Sequence, residues 1–335
     1  MAESLDDANT KSPPPLVSFL LMAYNQARSI ESAIAGALQQ TYTPLEIVLS
    51  DDASSDETFS LMQEMAAAYR GPHRIVLNRN PTNLGVGAHF NQLVSLSSGE
   101  LMFVAAGDDI SLPDRCRLAV ESWRARDCQA DLIATALIDM DEAGQDHGRI
   151  NPDQLGPYRN AADWFAKPPY VVGAAHAWSR RLFDRFGPLP DDLVAEDQVM
   201  VFRAIMSGGA ITLNHALVRY RRGGLSSRQS GATAADVARR LQRHSRHAQA
   251  ELLQLLADAR VAQQIDAVKG PLESRLARER FIREIFACEN RFDQFKLALF
   301  AKRVSVPNRL RIFVYAAIPE LLAPFFFAKR QIRGR

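Results

Sequence analysis

Apolar and polar positions along the first half of the chain fall into alternating blocks. Residues 17–23 form an apolar run of strand length, and Ile30, Ala33, Ile34, Ala37 and Leu38 then recur at three- and four-residue spacing, which predicts a helix with one buried face. Thr41-Tyr42-Thr43-Pro44 ends that helix, and residues 46–50 predict the next strand. Ser55 or Asp56 is placed to cap a helix through Phe59, Leu61, Met62 and Met65. A short strand is expected at 74–77, a helix over 87–96 after Asn83-Leu84-Gly85, and a strand at 101–105. Asp114 begins a helix through Leu118, Val120 and Trp123, and residues 131–140 predict another strand.

Strand–helix alternation with short connections implies an α/β fold with a mainly parallel sheet covered on both faces. In such sheets ligands lie beyond the carboxyl ends of the strands. Tyr24-Asn25, Asp51-Asp52 and Gly107-Asp108-Asp109 all fall at such ends. Adjacent carboxylates closing a buried strand are costly unless their charge is compensated, and a divalent cation is the usual compensator. The two aspartate pairs therefore suggest a nucleotide and metal site at one sheet edge. From about residue 150 the pattern loosens, with Pro152, Pro157, Pro168 and Pro169 as punctuation. Helices are expected near 179–185 and 195–207, a strand pair at 211–214 and 217–221, and a loop at 223–227. A long helix over 233–262 carries the stripe Val237, Leu241, Ala248, Leu252 and Leu255; Gly270-Pro271 breaks it, and helical sequence continues to about 299.

The 335 residues suffice for one large domain or one domain with an appendage, and 47% apolar with 23% charged residues is ordinary for a globular protein. The net charge of +2 conceals an asymmetry: residues 300–335 carry eight Lys/Arg against Glu320 alone. An acidic body with a basic tail argues against nucleic acid as partner, because there the basic surface should cover the folded part. It fits a tail meeting an anionic surface, membrane lipid being the natural candidate. Cys116, Cys128 and Cys288 form no CxxC pair and read as reduced thiols, which with a leader lacking an apolar core implies a cytoplasmic protein. Residues 1–15, ending Ser12-Pro13-Pro14-Pro15, read as a disordered leader. No run reaches the roughly 18 uncharged apolar residues of a membrane span.

Residues 17–25, then Ile30 and Ala33-Ile34, Leu38-Gln39-Gln40-Thr41-Tyr42, Glu46-Ile47-Val48 and Asp51-Asp52-Ala53-Ser54-Ser55-Asp56-Glu57-Thr58 resemble the opening of family-two glycosyltransferases of the GT-A fold. Asn83-Leu84-Gly85, Ser98-Gly99-Glu100 and Gly107-Asp108-Asp109 through Pro113-Asp114-Arg115 continue the pattern in order. The resemblance covers about residues 16–225 and implies a GT-A domain at 16–230, followed by a helical C-terminal region at 231–335. It further implies inverting transfer of a sugar from a UDP- or dTDP-sugar, assisted by Mn²⁺ or Mg²⁺, to a glycan or lipid-linked acceptor in cell-surface polysaccharide synthesis.

The chemistry asks for the same residues. A nucleotide base needs a flat partner and a polar edge, which Tyr24 and Asp52 offer within the segment Ala23-Tyr24-Asn25 and its neighbour; the resemblance places Asp52 on the uracil or thymine ring. The plainer reading of Asp51-Asp52 is a strand-end turn with a helix cap. Asn83 and Gly85 can bring backbone near the donor, though Asn-x-Gly is also a common turn. Asp108 is the principal expected metal ligand, with Asp109 supporting metal or donor sugar, and a solvated capping pair is the alternative. The commonest Asp-x-Asp pattern is broken, since Ala106 stands in its first place. Inverting transfer needs a carboxylate within reach of the acceptor hydroxyl. Asp197, with Glu196 as helper, resembles the family's Glu-Asp motif; a structural role at a helix N-terminus is the other reading. The resemblance implies that Trp178 or His176 faces the acceptor sugar, although a lone histidine among small residues is more often a packed core residue, and Arg221 or Arg222 is expected toward the diphosphate or as surface charge. Relatives carry a histidine where this chain has Gly223.

The apolar, Pro-broken tail at 312–327 is either an interfacial anchor, peripheral on the inner membrane face, or a helix packed on the domain. Two other functions compete. A sugar-phosphate nucleotidyltransferase would need a Gly-rich phosphate loop with a basic residue, which Ala23-Tyr24-Asn25-Gln26-Ala27 does not supply. A catalytically silent carbohydrate-binding or scaffolding protein of the same fold is kept open by Ala106 and Gly223, while Asp108, Asp109 and Asp197 argue against it.

Overall fold

The structure, a computed structural model, describes residues 13–221 and 233–322. Strands β1 (Val17–Ala23), β2 (Leu45–Asp51), β3 (Arg74–Arg79) and β4 (Leu101–Ala106) lie side by side in the order β3-β2-β1-β4, all parallel. Helices α1 (Ile30–Leu38), α2 (Thr58–Ala68) and α3 (Val86–Ser95) connect them, as the periodicity predicts. Of the two expected capping residues Asp56 serves: its carboxylate accepts from the Thr58 amide that opens α2 at 3.0 Å and from the Ala27 amide at 3.1 Å, while Glu57, directly before α2, makes no side-chain cap bond. Asp56 thereby joins two loops.

Strand direction follows from pattern, but strand order does not. After β5 (Ile110–Ser111) and α4 (Arg115–Arg124), β6 (Leu132–Met140) does not sit beside β4. β8 (His176–Ser179) enters between them and runs antiparallel to both, so β6 still points the same way as β4. β7 (Asp146–Ile150) pairs antiparallel with β6. The sheet is therefore mixed rather than mainly parallel.

The strand pair expected at 211–221 is one strand, β9 (Ala210–Arg221), parallel to β6. Leu213 pairs with Thr135 and Ala216 with Ala136, so the exposed Asn214-His215 bulges out instead of turning a hairpin.

Alternate residues serve opposite faces. Phe19, Leu21, Ile47, Leu49 and Phe103 pack with α1, α2 and α4, whereas Leu20, Val48, Met102 and Val104 face α3, α5 (Ala161–Ala166), α6 (Arg180–Phe186) and α7 (Glu196–Ile205). The second face is completed from far along the chain. Leu252, Leu255 and Leu256 of α8 (Ala234–Val261) and Val268, Leu272 and Leu276 of α9 (Ile265–Ala287) share its core. The expected break at Gly270-Pro271 falls earlier, at Gln263 with φ 58°, and Pro271 lies inside α9. Beyond them, α10 (Arg291–Phe300) and α11 (Val306–Ala317) close a separate small cluster around Phe281, Ile285, Val304 and Ile312. All three cysteines are free thiols.

Candidate active site

The carboxyl ends of β1, β2 and β4 open onto one edge, and their loops are laced together. Asn25 takes φ 52°; its amide donates to Ser54 Oγ at 2.8 Å, and its Oδ1 accepts from the Ser55 amide at 2.9 Å. The Gln26 amide donates to Thr58 Oγ1 at 2.8 Å. The Asn25 side chain is thus spent on the frame, while the Tyr24 ring, 49% exposed, is free to stack on a ligand.

Asp52 is buried, and its carboxylate organises the next loop. Oδ1 accepts from Asn80 Nδ2 at 2.8 Å and the Leu84 amide at 2.9 Å; Oδ2 accepts from the Gly85 amide at 3.0 Å. Gly85 has φ +80°, a conformation that favours glycine, and stands at the head of α3. Three of roughly four carboxylate acceptor sites are therefore filled from within the protein. Asn83 is exposed at the rim of the same turn.

Gly107-Asp108-Asp109 leaves β4 beside these loops. A Cβ at Gly107 would lie 2.5 Å from Gln26 Oε1, so glycine admits the close approach. Burial raises the pKa of Asp108, which Gln26 and Arg221 oppose. Asp109 is pushed up to about 8 by burial and by Asp108, and accepts from the Arg221 amide at 2.8 Å. Arg221 Nε donates to the Asp108 carbonyl at 3.1 Å, so this side chain braces the aspartate turn. Beneath lies Arg115, fully buried, its guanidinium donating to Ser111 Oγ at 2.8 Å and to the Val104 and His176 carbonyls at 2.8 and 3.0 Å. Burial lowers its pKa only to about 10, so it stays cationic. Two adjacent carboxylates held against their own charge fit a divalent cation that completes its shell with phosphate oxygens and water. Among the described residues no three His, Cys, Asp or Glu side chains gather as an all-protein metal cage.

Two connections bring the Glu196-Asp197 pair to the same edge. The carbonyl that Arg115 holds belongs to His176, just after the 3₁₀ turn Gly173–Ala175. A Cβ on Gly173 would lie 3.1 Å from both Asp197 Cβ and Glu196 Oε1. The loop entering α7 also passes Gly85, with the Asp191 carbonyl 3.9 Å from where a Cβ would stand. Burial and Asp197 push Glu196 up to about 8, and burial raises Asp197 as well. Glu251 of α8, raised to about 7 by burial and by Asp197, adds a third acid, opposed by Arg275.

Other expectations are corrected. His176 and Trp178 are completely buried and packed ring to ring 6.1 Å apart, so neither reaches a sugar. Burial drives His176 down to about 3, which keeps it neutral. Arg222 and Gly223 lie outside the described residues. Sequence reasoning missed Gln26, Arg115, Gly173 and Glu251. Arg115 stood in a quoted motif without a role, and only the fold brings the other three to the edge.

The family model "Glycosyl transferase family 2" matches residues 18–187. A putative glycosyltransferase EpsE of Bacillus subtilis is 33% identical over 143 residues, 43% of this chain and 50% of that protein. A chondroitin synthase of Escherichia coli is 32% identical over 142 residues, 42% of this chain and 20% of that protein. The matched region thus spans half or less of both relatives. Among solved structures, S. aureus TarS 1–349 in complex with UDP-GlcNAc superposes with TM-score 0.55 at 16% identity, covering 89% of this chain and 90% of that one. Mannosyltransferase PcManGT from Pyrobaculum calidifontis, in complex with GDP-Man and Mn²⁺, gives 0.51 at 19% identity, covering 92% and 87%. The fold is the GT-A fold, a mixed α/β sheet with a helical C-terminal region.

Proposed function

The chain belongs to glycosyl transferase family 2, and from that premise we propose that it is an inverting glycosyltransferase. It moves a sugar from a UDP- or dTDP-sugar to a glycan or lipid-linked acceptor in the synthesis of a cell-surface polysaccharide. The observation that carries this reading is the meeting of three acidic groups, Asp52, Asp108-Asp109 and Glu196-Asp197, at one sheet edge through Gly85, Arg115 and Gly173.

Tyr24 stacks on the base, whose edge meets the loop ordered by Asp52, with Asn83 and Gly85 presenting backbone. Asp108, supported by Asp109, holds Mn²⁺ or Mg²⁺, which supplies positive charge against the diphosphate. The Arg221 amide holds the Asp109 carboxylate and its side chain the Asp108 carbonyl, while Arg115 ties Ser111 and Val104 together beneath the turn. Asp197 takes the proton from the acceptor hydroxyl as its oxygen attacks the anomeric carbon opposite the departing diphosphate, which inverts that centre. Burial and the neighbouring Asp197 push Glu196 up to about 8, so at neutral pH Glu196 holds a proton beside the proposed base. Glycosyltransferase relatives and neighbours solved with UDP-GlcNAc or with GDP-Man and Mn²⁺ support the donor class. The basic tail beyond residue 300 brings the enzyme to the inner membrane face, where lipid-linked acceptors lie.

The test is thermal shift with UDP- and dTDP-sugars, with and without Mn²⁺. A donor at about 100 times its Kd should stabilise the fold by about 2.7 kcal/mol. Asp108→Ala should remove the Mn²⁺-dependent part and donor hydrolysis together. A wild-type protein that neither shifts nor hydrolyses any nucleotide sugar would overturn the reading in favour of a silent carbohydrate-binding protein.

A further inference from the structure

Among the described residues twelve large apolar side chains are exposed, and seven of them lie between residues 292 and 321. Six of the seven belong to α10 and α11 and Leu321 to the 3₁₀ turn after them, and the inner faces of the two helices already pack on Phe281, Ile285 and Val304. Phe292, Phe295 and Leu299 recur at three- and four-residue spacing, which makes one outward face of α10 apolar, and Val306 and Leu310 do the same for α11. The two faces meet in a groove of about 310 Å³. A contiguous apolar patch of this kind marks a contact surface, since monomers scatter such residues singly.

Charge identifies the partner. Residues 291–322 carry Arg291, Lys296, Lys302, Arg303, Arg309 and Arg311 against Asp293 and Glu320, a net of +4. Glu320 is paired with Arg291 at 2.7 Å. Lys296 Nζ lies 4.2 Å from the centre of the Phe292 ring, so a cation stands directly on the apolar face. Arg309 lines the groove; its Nη1 donates to the Leu299 carbonyl at 2.7 Å, while its buried Nε finds no partner. A second copy of this face would meet like charge, and a neutral apolar partner would leave the cations unanswered. Residues 323–335 add Lys329, Arg330, Arg333 and Arg335 and no acid.

We propose that the outward face of α10 and α11 docks on an anionic lipid bilayer. Phe292, Phe295, Leu299 and Leu310 enter the boundary between headgroups and acyl chains, and Lys296 meets lipid phosphates. No helix among the described residues is long and apolar enough to cross a membrane, so these helices lie along the surface. Within the tail at 312–327, Ile312 and Ala317 are buried and Leu321 is exposed, while residues 323–327 lie outside the described residues. The contact belongs to the opposite faces. This deepens the membrane contact proposed above and rests on it, and its test uses no catalytic readout.

The test is sedimentation of the full chain with phosphatidylcholine vesicles containing about 30 mol% phosphatidylglycerol, a composition chosen for its negative surface potential. Binding should weaken as salt shortens the screening length, and pure phosphatidylcholine should retain far less protein. Leu299→Ser combined with Leu310→Ser should weaken binding at least about ten-fold. Both residues are exposed, so the melting temperature and the donor-induced thermal shift should not move. No wild-type binding, or equal binding by the double variant, overturns the proposal. So does full binding by the double variant together with loss on deleting 323–335. A dimer broken by the double substitution while vesicle binding persists overturns it in favour of a second copy. Loss of the donor shift with vesicle binding intact would sink the catalytic reading alone.

Discussion

Removing the carboxylate of Asp258 should loosen the grip of the C-terminal helices on the helix that carries the proposed base. α7 begins with Glu196-Asp197 and presents Arg203 two turns later. Arg203 Nε donates to Asp258 Oδ2 at 2.8 Å and Nη2 to Oδ1 at 3.2 Å, and the two side chains are 0% and 1% exposed. Gln254 Nε2 donates to Asp258 Oδ1 at 2.7 Å, and Arg203 Nη1 to the Gly187 carbonyl at 2.9 Å, so the pair is well satisfied. Asp258→Ala leaves a buried guanidinium without its counter-ion, a loss of about 3–5 kcal/mol. Unfolding entropy of about 2.1 cal/mol/K per residue gives the whole chain about 0.7 kcal/mol/K, so the melting temperature should fall by about 4–7 °C. Scanning calorimetry reads this directly. The double variant Arg203→Met/Asp258→Leu removes both charges and should recover most of the loss, because a buried pair is often replaceable by packed apolar groups. A single variant that melts within about 1 °C of wild type, or a double variant as weak as the single one, would refute the reasoning.

Gly173→Ala sets a methyl 3.1 Å from Asp197 Cβ and Glu196 Oε1; transfer activity should fall about ten-fold, equivalent to about 1.4 kcal/mol, with the melting temperature nearly unchanged, and full activity would show that the pair is not positioned by this turn. Glu196 has its pKa raised from 4.5 to about 8, so the native state holds a proton that the unfolded chain releases above its own lower pKa. Its contribution to stability is therefore complete below pH 4.5 and is lost as pH rises through about 8. Glu196→Gln should flatten the fall in urea midpoint over that window, and an unchanged slope would contradict the assignment. Tyr24→Ala removes a half-exposed ring, so the donor KM should rise by about ten-fold while urea stability changes little; an unchanged KM would dismiss the stacking role.

The sequence by itself determined the local elements and the residues at their ends. Apolar runs of strand length marked β1 to β4 and 3.6-residue periodicity marked α1 to α3, because strands covered on both faces read as continuous apolar runs and helices buried on one face as stripes. The acids at 52, 108 and 109 stand out for a related reason, since charge at the end of an apolar run is conspicuous, whereas Asp197 is marked by its resemblance to the family's Glu-Asp motif. What pattern could not carry was partnership between distant segments. That β8 enters antiparallel between β4 and β6, that Asn214-His215 bulges rather than turns, and that α8 and α9 complete the sheet's core depend on which surfaces fit together. The same holds at the site. The full burial of Arg115, the clearance at Gly173, the closure of Trp178 and His176 inside the core and the approach of Glu251 are properties of packing in three dimensions. A side chain's identity is written in the chain, but its solvent and its neighbours are set only when the layers close.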